Sequence, residues 1–238
     1  IAVPTLTSIA RQEPSAETTN ADTLTYRVTF NEAVSNVDAS DFQVAGTTAT
    51  ISAVTLFSPG VYDVTLSGGD LASLNGTVTL SFASGQNIVD AAGNALATPV
   101  TTSSYVVDNT TSTVTTVALS DVQITDADDG ATVTATITFS EAMDQMVAPT
   151  VTNNAGTTLT SGSGAWTSAT TYVMTYTVDD ANVDLADVTF DVTGAKDLAG
   201  NTQVAATAVS TGSDVDTVNA TVTTVALSDV QITDADDG

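Results

Sequence analysis

The chain contains no cysteine and no histidine in 238 residues. Without cysteine, disulfides, thioesters and thiolate metal sites are excluded. Without histidine, the usual general base, the commonest transition-metal ligand and the usual pH switch are missing. Basic side chains number three, Arg11, Arg27 and Lys196, against 28 acidic ones, for a net charge of −25. Nucleic-acid binding needs clustered cations to displace counterions from phosphates, and anionic lipid needs them too; neither partner fits. Aromatic residues are 5% of the chain. A carboxylate pair that hydrolyses glycosides needs a cleft with aromatic walls, so the chain reads as non-catalytic. No apolar run approaches the length that spans a bilayer, so no membrane insertion is expected. No signal peptide is visible and Ile1 is not a natural start, so both ends read as cuts in a longer chain.

What is present is a β vocabulary. Threonine, valine, alanine, serine and aspartate dominate, and hydrophobic residues make up 42%, enough for packed cores. The strongest internal signal is a repeat. Thr113–Gly130 reads TVTTVALSDVQITDADDG, and Thr221–Gly238 repeats those 18 residues at an offset of 108. That period matches a whole sandwich rather than one turn of a solenoid. The first copy is divergent but aligned. FNEAV (Phe30–Val34) answers FSEAM (Phe139–Met143), and DAAGN (Asp90–Asn94) answers DLAGN (Asp197–Asn201), at spacings of 109 and 107. The expected organisation is a module over 1–108, a second over 109–216, and the start of a third over 217–238.

Strict alternation marks half-buried strands. Leu24, Tyr26, Val28 and Phe30 fall on one face, repeated as Val133, Ala135, Ile137 and Phe139. Tyr62, Val64 and Leu66 match Tyr172, Met174 and Tyr176, while Val78, Leu80 and Phe82 match Val188, Phe190 and Val192. Turn signals separate these runs: SGGD at 67–70, LNG at 74–76, DDG at 128–130. Many short strands with turns between them predict an all-β architecture of two packed antiparallel sheets per module. Trp166 reads as the first residues of a strand, AWTSATTYVMTYTV, at the edge of the core.

The ordered combination of F-S/N-E-A, a later D-x-A-G-N and an aspartate-bearing linker resembles the bacterial immunoglobulin-like tandem repeats of giant surface adhesins, the biofilm-associated and RTX-type adhesins. The resemblance covers both modules almost end to end. It implies tandem immunoglobulin-like sandwiches acting as extenders on the bacterial cell surface. Their partners are the neighbouring repeats of the same chain, the adhesive ligand is bound outside this segment, and Ca2+ near the junctions stiffens the rod.

Calcium takes six to eight oxygens from carboxylates, carbonyls and water. Two kinds of site are expected. One is junctional: linker Asp108 with Glu32 and Asp90, repeated as Asp216, beside Asp214, with Glu141 and Asp197. The other is a loop site at Asp126, Asp128 and Asp129, repeated in the third copy as Asp234, Asp236 and Asp237. The corresponding loop of the first module, EPSAETTNAD (Glu13–Asp22), has scattered carboxylates and predicts a weaker site or none. Each aspartate also has a simpler reading, as a turn residue whose carboxylate accepts nearby N–H groups. That reading suits the aspartates of DAAGN and DLAGN best. TDADDG is not an EF-hand, because Ile137 stands where the bidentate glutamate would be. The affinity class is then that of extracellular modules, on the order of 10⁻⁴ to 10⁻³ M. A surface-layer or extracellular filament subunit is the alternative function, and a glycan-binding module a third.

Overall fold

The computed structural model describes residues 3–226. The first module has ten strands: β1 (Leu6–Glu13), β2 (Thr18–Thr19), β3 (Thr23–Phe30), β4 (Val34–Ser35), β5 (Phe42–Ala45), β6 (Thr50–Ser58), β7 (Val61–Ser67), β8 (Asn75–Phe82), β9 (Val89–Asp90) and β10 (Ser103–Asp108). The second has ten more: β11 (Val114–Leu119), β12 (Gln123–Thr125), β13 (Thr132–Phe139), β14 (Thr150–Asn153), β15 (Leu159–Ser168), β16 (Thr171–Val178), β17 (Asp184–Leu185), β18 (Thr189–Thr193), β19 (Ala206–Ser210) and β20 (Asp214–Asp216). The fold is all-β, as the alternation predicts.

In the first module one sheet runs β1-β3-β7-β6 and the facing one β2-β10-β8-β5, with β4-β9 as a small ladder at one end. The second module repeats the first sheet as β11-β13-β16-β15. Its facing layer is divided into β12-β20-β17 and β14-β18-β19. The break falls at Thr211–Ser213, where Gly212 takes a φ of 70° and interrupts what is a single strand, β10, in the first module.

The strand faces predicted from alternation hold. β3 alternates exposed or half-buried with buried positions, and Leu24, Tyr26 and Val28 are wholly buried. Two hydrophobic clusters result, one drawn from Ile9 to Val107 and the other from Val117 to Val215. Apolar faces meeting between sheets supply most of the stability, and buried tyrosines keep their polar ends bonded. Tyr26 donates to the Val78 carbonyl at 2.9 Å and Tyr105 to the Thr25 carbonyl at 2.8 Å.

One strand reading is corrected. AWTSATTYVMTYTV is a hairpin, with β15 ending at Ser168 and β16 starting at Thr171. The turn carries neither glycine nor proline, and is held by the Thr170 N–H donating to Ser168 Oγ at 3.2 Å. Its counterpart in the first module is marked by Pro59 and Gly60. Trp166 sits at the core edge, its ring 5.3 Å from Phe139 and 5.2 Å from Tyr172, with the indole N–H donating to the Val147 carbonyl.

Candidate metal centre at the joint

Each D-x-A-G-N segment forms the same tight turn. Asp197 Oδ1 accepts from the N–H groups of Ala199, Gly200 and Asn201 at 2.8–2.9 Å, and Oδ2 accepts from Asn201 Nδ2 at 2.9 Å. The backbone closes through Asp197 N–H to the Asn201 carbonyl, with Gly200 at a φ of 98° that a side chain would resist. Asp90 is bonded alike by Ala92, Asn94 and the Asn94 carboxamide. Those bonds, the carboxamide's first, hold the Asp90 carboxyl below its ordinary pKa despite its burial. The turn-capping role is therefore occupied at both aspartates. Three of the four bonds to Asp197 crowd onto Oδ1, so Oδ2, which accepts one, keeps a lone-pair direction for a further contact.

Glu141 is delivered to the same place by the strand before it. It follows β13 by two residues, and Met143, 1% exposed, anchors the segment and bridges directly to Asp197. Asp108, expected in a linker, is instead the last residue of β10. Its Oδ1 accepts from the Thr110 N–H at 2.9 Å, and the carbonyls of Asp108 and Thr110 accept from Asn201 Nδ2 at 2.8 and 3.1 Å. The result is one carboxylate oxygen each from Asp108, Glu141 and Asp197, all within 4.8 Å of one another.

This gathering costs energy in the absence of a cation. Burial, then the charges of Asp197 and Asp108, push the Glu141 carboxyl above its ordinary pKa. Among the described residues the ion pairs are Arg11–Glu17 and Arg27–Asp63, both remote from the joint in the first module. Lys196, next in the chain to Asp197, forms none among them.

The predicted groupings need correction. Asp108 does not meet Glu32 and Asp90, and Asp216 does not meet Glu141 and Asp197. Asp108 pairs with Asn75 at the start of β8, whereas Phe82 at its far end touches Phe30, two residues before Glu32. The eight residues of β8 separate these ends by about 23 Å. Asp108 therefore lies at the trailing end of its own module and meets the glutamate and turn of the next. Glu32 and Asp90 form the leading end of the first module, where the Val34–Asp90 pairing reproduces Met143–Asp197. Glu32 is half-buried, and its Oε1 is enclosed without a hydrogen-bond partner. Asp216 is exposed at the trailing end of the second module, opposite Asp184, and accepts from the Val218 N–H as Asp108 does from Thr110. Asp214 lies on β20 opposite Gln123.

The TDADDG loop does not collect its carboxylates into one group among the described residues. Asp128 Oδ2 accepts from the N–H and hydroxyl of Thr125 at 2.8 and 2.9 Å, closing a capping box over a 3₁₀ turn, Asp126–Asp128. Asp129 Oδ1 accepts from the Asp180 N–H, and Asp126 is exposed. Asp234, Asp236 and Asp237 lie outside the described residues.

Two asparagines escaped the sequence reading. Asn201 binds the carbonyls of Asp108 and Thr110 and the Asp197 carboxylate together, and Asn20 of the first module reaches it across the joint, Nδ2 donating to Asn201 Oδ1 at 2.9 Å. The final position of D-x-A-G-N carried a signal for the first. Nothing in EPSAETTNAD singled out the second.

No family model matches the chain, and no curated protein matches it. Among solved structures, the Escherichia coli adhesin FdeC is similar at 17% identity and a TM-score of 0.39, over 85% of this chain and 62% of that one. The bacterial S-layer protein SbsC, N-terminal part, is similar at 16% and 0.31, over 90% and 44%. The Yersinia pseudotuberculosis adhesin InvE is similar at 18% and 0.28, over 84% and 58%. The chain thus spans less than two thirds of each. Likenesses this weak speak neither to function nor to how the modules are arranged.

Proposed function

We propose that this chain is a run of structural extender repeats from a large bacterial surface adhesin, stiffened at its joints by calcium. The convergence of Asp108, Glu141 and Asp197 supports the calcium role, and the motif resemblance supports the extender role. The donor set fits the ion. Oxygens bound to calcium at 2.3–2.6 Å lie at most about 4.6–5.2 Å apart, and the three carboxylate oxygens fall inside that span, within 4.8 Å.

When bound, the ion supplies positive charge and a demand for oxygen ligands that ties the three carboxylates together. The rest is done by the chain. The turn holds Asp197 in place before any ligand arrives, β13 and Met143 set Glu141 beside it, and Asn201 ties down the backbone at Asp108. One ligand comes from the end of β10 in the first module and two from the second, so occupancy fixes the angle between modules and adds to the stability of the second. In this reading the work is mechanical, holding an adhesive ligand-binding part, located elsewhere in the protein, away from the cell.

The test is to follow melting and small-angle scattering of the chain in millimolar calcium and then in excess chelator. Chelation should lower the melting temperature of the second module by a few degrees, matching roughly 0.4–1.4 kcal/mol for one site of 10⁻³ to 10⁻⁴ M class at about 1 mM calcium. It should also widen the distribution of molecular lengths. Magnesium should restore little, because it holds its waters and demands a tighter octahedron. Identical melting and scattering curves in the two buffers would rule the calcium role out.

A further inference from the structure

The joint is held by more than carboxylates. Asn20, in the loop that leaves β2, donates its backbone N–H to the Ala199 carbonyl at 3.1 Å and its side-chain N–H to Asn201 Oδ1 at 2.9 Å. Both acceptors belong to the D-x-A-G-N turn of the next module. That turn therefore presents two outward oxygens, and the preceding module must supply two donors at one position.

The position equivalent to Asn20 in the second module follows from register. Thr19 pairs with Val107 in the parallel β2–β10 ladder, as Ile124 pairs with Val215 in β12–β20. Asn20 thus corresponds to Thr125. Both donors of Thr125, the backbone N–H and the hydroxyl, are already spent on Asp128 Oδ2. Two residues separate Asn20 from Thr23 at the start of β3, and six separate Thr125 from Thr132 at the start of β13. The four additional residues bring the three aspartates of TDADDG. A following turn that offers only oxygens would meet carboxylates there instead of donors, and acceptor facing acceptor repels.

We propose that the D-x-A-G-N turn is a docking surface for the preceding module that selects by this loop, clamping onto an asparagine in the Asn20 position and failing to clamp onto TDADDG. Joints of two kinds then occur along one chain. One is held by hydrogen bonds with any cation adding to them, and the other lacks the clamp. This inference rests on the reading of the modules as consecutive struts of one rod. It goes beyond that reading by assigning different stiffness to different joints.

The experiment uses the full chain with spin labels at Val100→Cys and Met146→Cys, two side chains 96% and 92% exposed, one in each module of a chain without cysteine. Distance distributions between the labels are recorded in calcium and in excess chelator for three chains. These are the parent, Asn20→Ala, and a graft in which TDADDGA (125–131) replaces residues 20–22. In chelator the widths should rank parent, Asn20→Ala, graft from narrowest to widest, the graft losing about tenfold in the ratio of closed to open joints as both hydrogen bonds vanish. Asn20→Ala keeps the loop length, so it reports even if the graft perturbs folding. Equal widths in chelator for parent and Asn20→Ala, with the calcium response of the parent intact, would overturn the clamp while leaving the calcium role standing. A parent that ignores calcium but keeps the ranking would remove the calcium role and support the clamp.

Discussion

Asp90 and Asp197 build the same turn at the leading ends of successive modules, yet their surroundings differ. Around Asp197 the structure sets Glu141 and a carboxylate, Asp108, that the preceding module contributes. At the first turn Val34, two residues after Glu32, pairs with Asp90 as Met143, two residues after Glu141, pairs with Asp197. A module therefore owns two thirds of a carboxylate group and borrows the rest. The candidate centre is a property of the joint, and neither sandwich would display it alone.

The sharpest way to break that comparison is to remove the turn aspartates. Asp197→Ala strands three buried or half-buried N–H groups and removes one of the three acceptors of Asn201 Nδ2. It should destabilise the second module by about 2–4 kcal/mol in calcium-free buffer, measured by chemical denaturation. Asp90→Ala should destabilise the first module without touching the calcium response at the joint. If Asp90→Ala abolished that response, the separation of the two ends would be wrong.

The glutamates sharpen the contrast with a smaller effect of opposite sign. Glu141→Gln removes the charge that burial, Asp197 and Asp108 penalise, so without calcium it should raise the melting temperature of the second module. The same substitution should erase stabilisation by calcium. Glu32→Gln should leave calcium binding at the Asp108 joint unchanged, as isothermal titration would report.

Acid provides the smallest of the three effects. Asp38, Asp70 and Asp90 are held below their ordinary pKa, by the Ser40 hydroxyl, the Thr47 hydroxyl and the Asn94 carboxamide respectively. Their contribution is present above the usual carboxylate range and is lost as pH falls through their lowered folded values. Glu141 is raised, so its cost is present above its folded pKa and is relieved as pH falls through it. In calcium-free buffer the melting temperature of the second module should therefore rise slightly on mild acidification while that of the first stays level. Calorimetry in steps of pH would show the two transitions diverging; parallel movement would contradict the assignment.

Much of this was legible in residues alone. The strand faces at Leu24–Phe30 and Val133–Phe139 follow from side chains alternating about the pleat, a local rule that needs no knowledge of neighbours. The turn role of Asp90 and Asp197 was legible for the same reason, since a carboxylate capping N–H groups two to four residues away is a local event. The hairpin at Ala169–Thr170 was not, because a turn without glycine or proline leaves no mark in composition. Asn20 was also hidden, since its partners stand 179 and 181 positions away in the chain.

By itself, then, the sequence determined the period, the alternation, the acidic surface and which residue types stood ready to bind a cation. Only the tertiary structure decided which of those carboxylates meet. Strands carry the chain from one end of a sandwich to the other, so residues close in the repeat pattern, such as Asp90 and Asp108, finish at opposite poles. Asp108 and Asp197, a module apart in sequence, finish side by side.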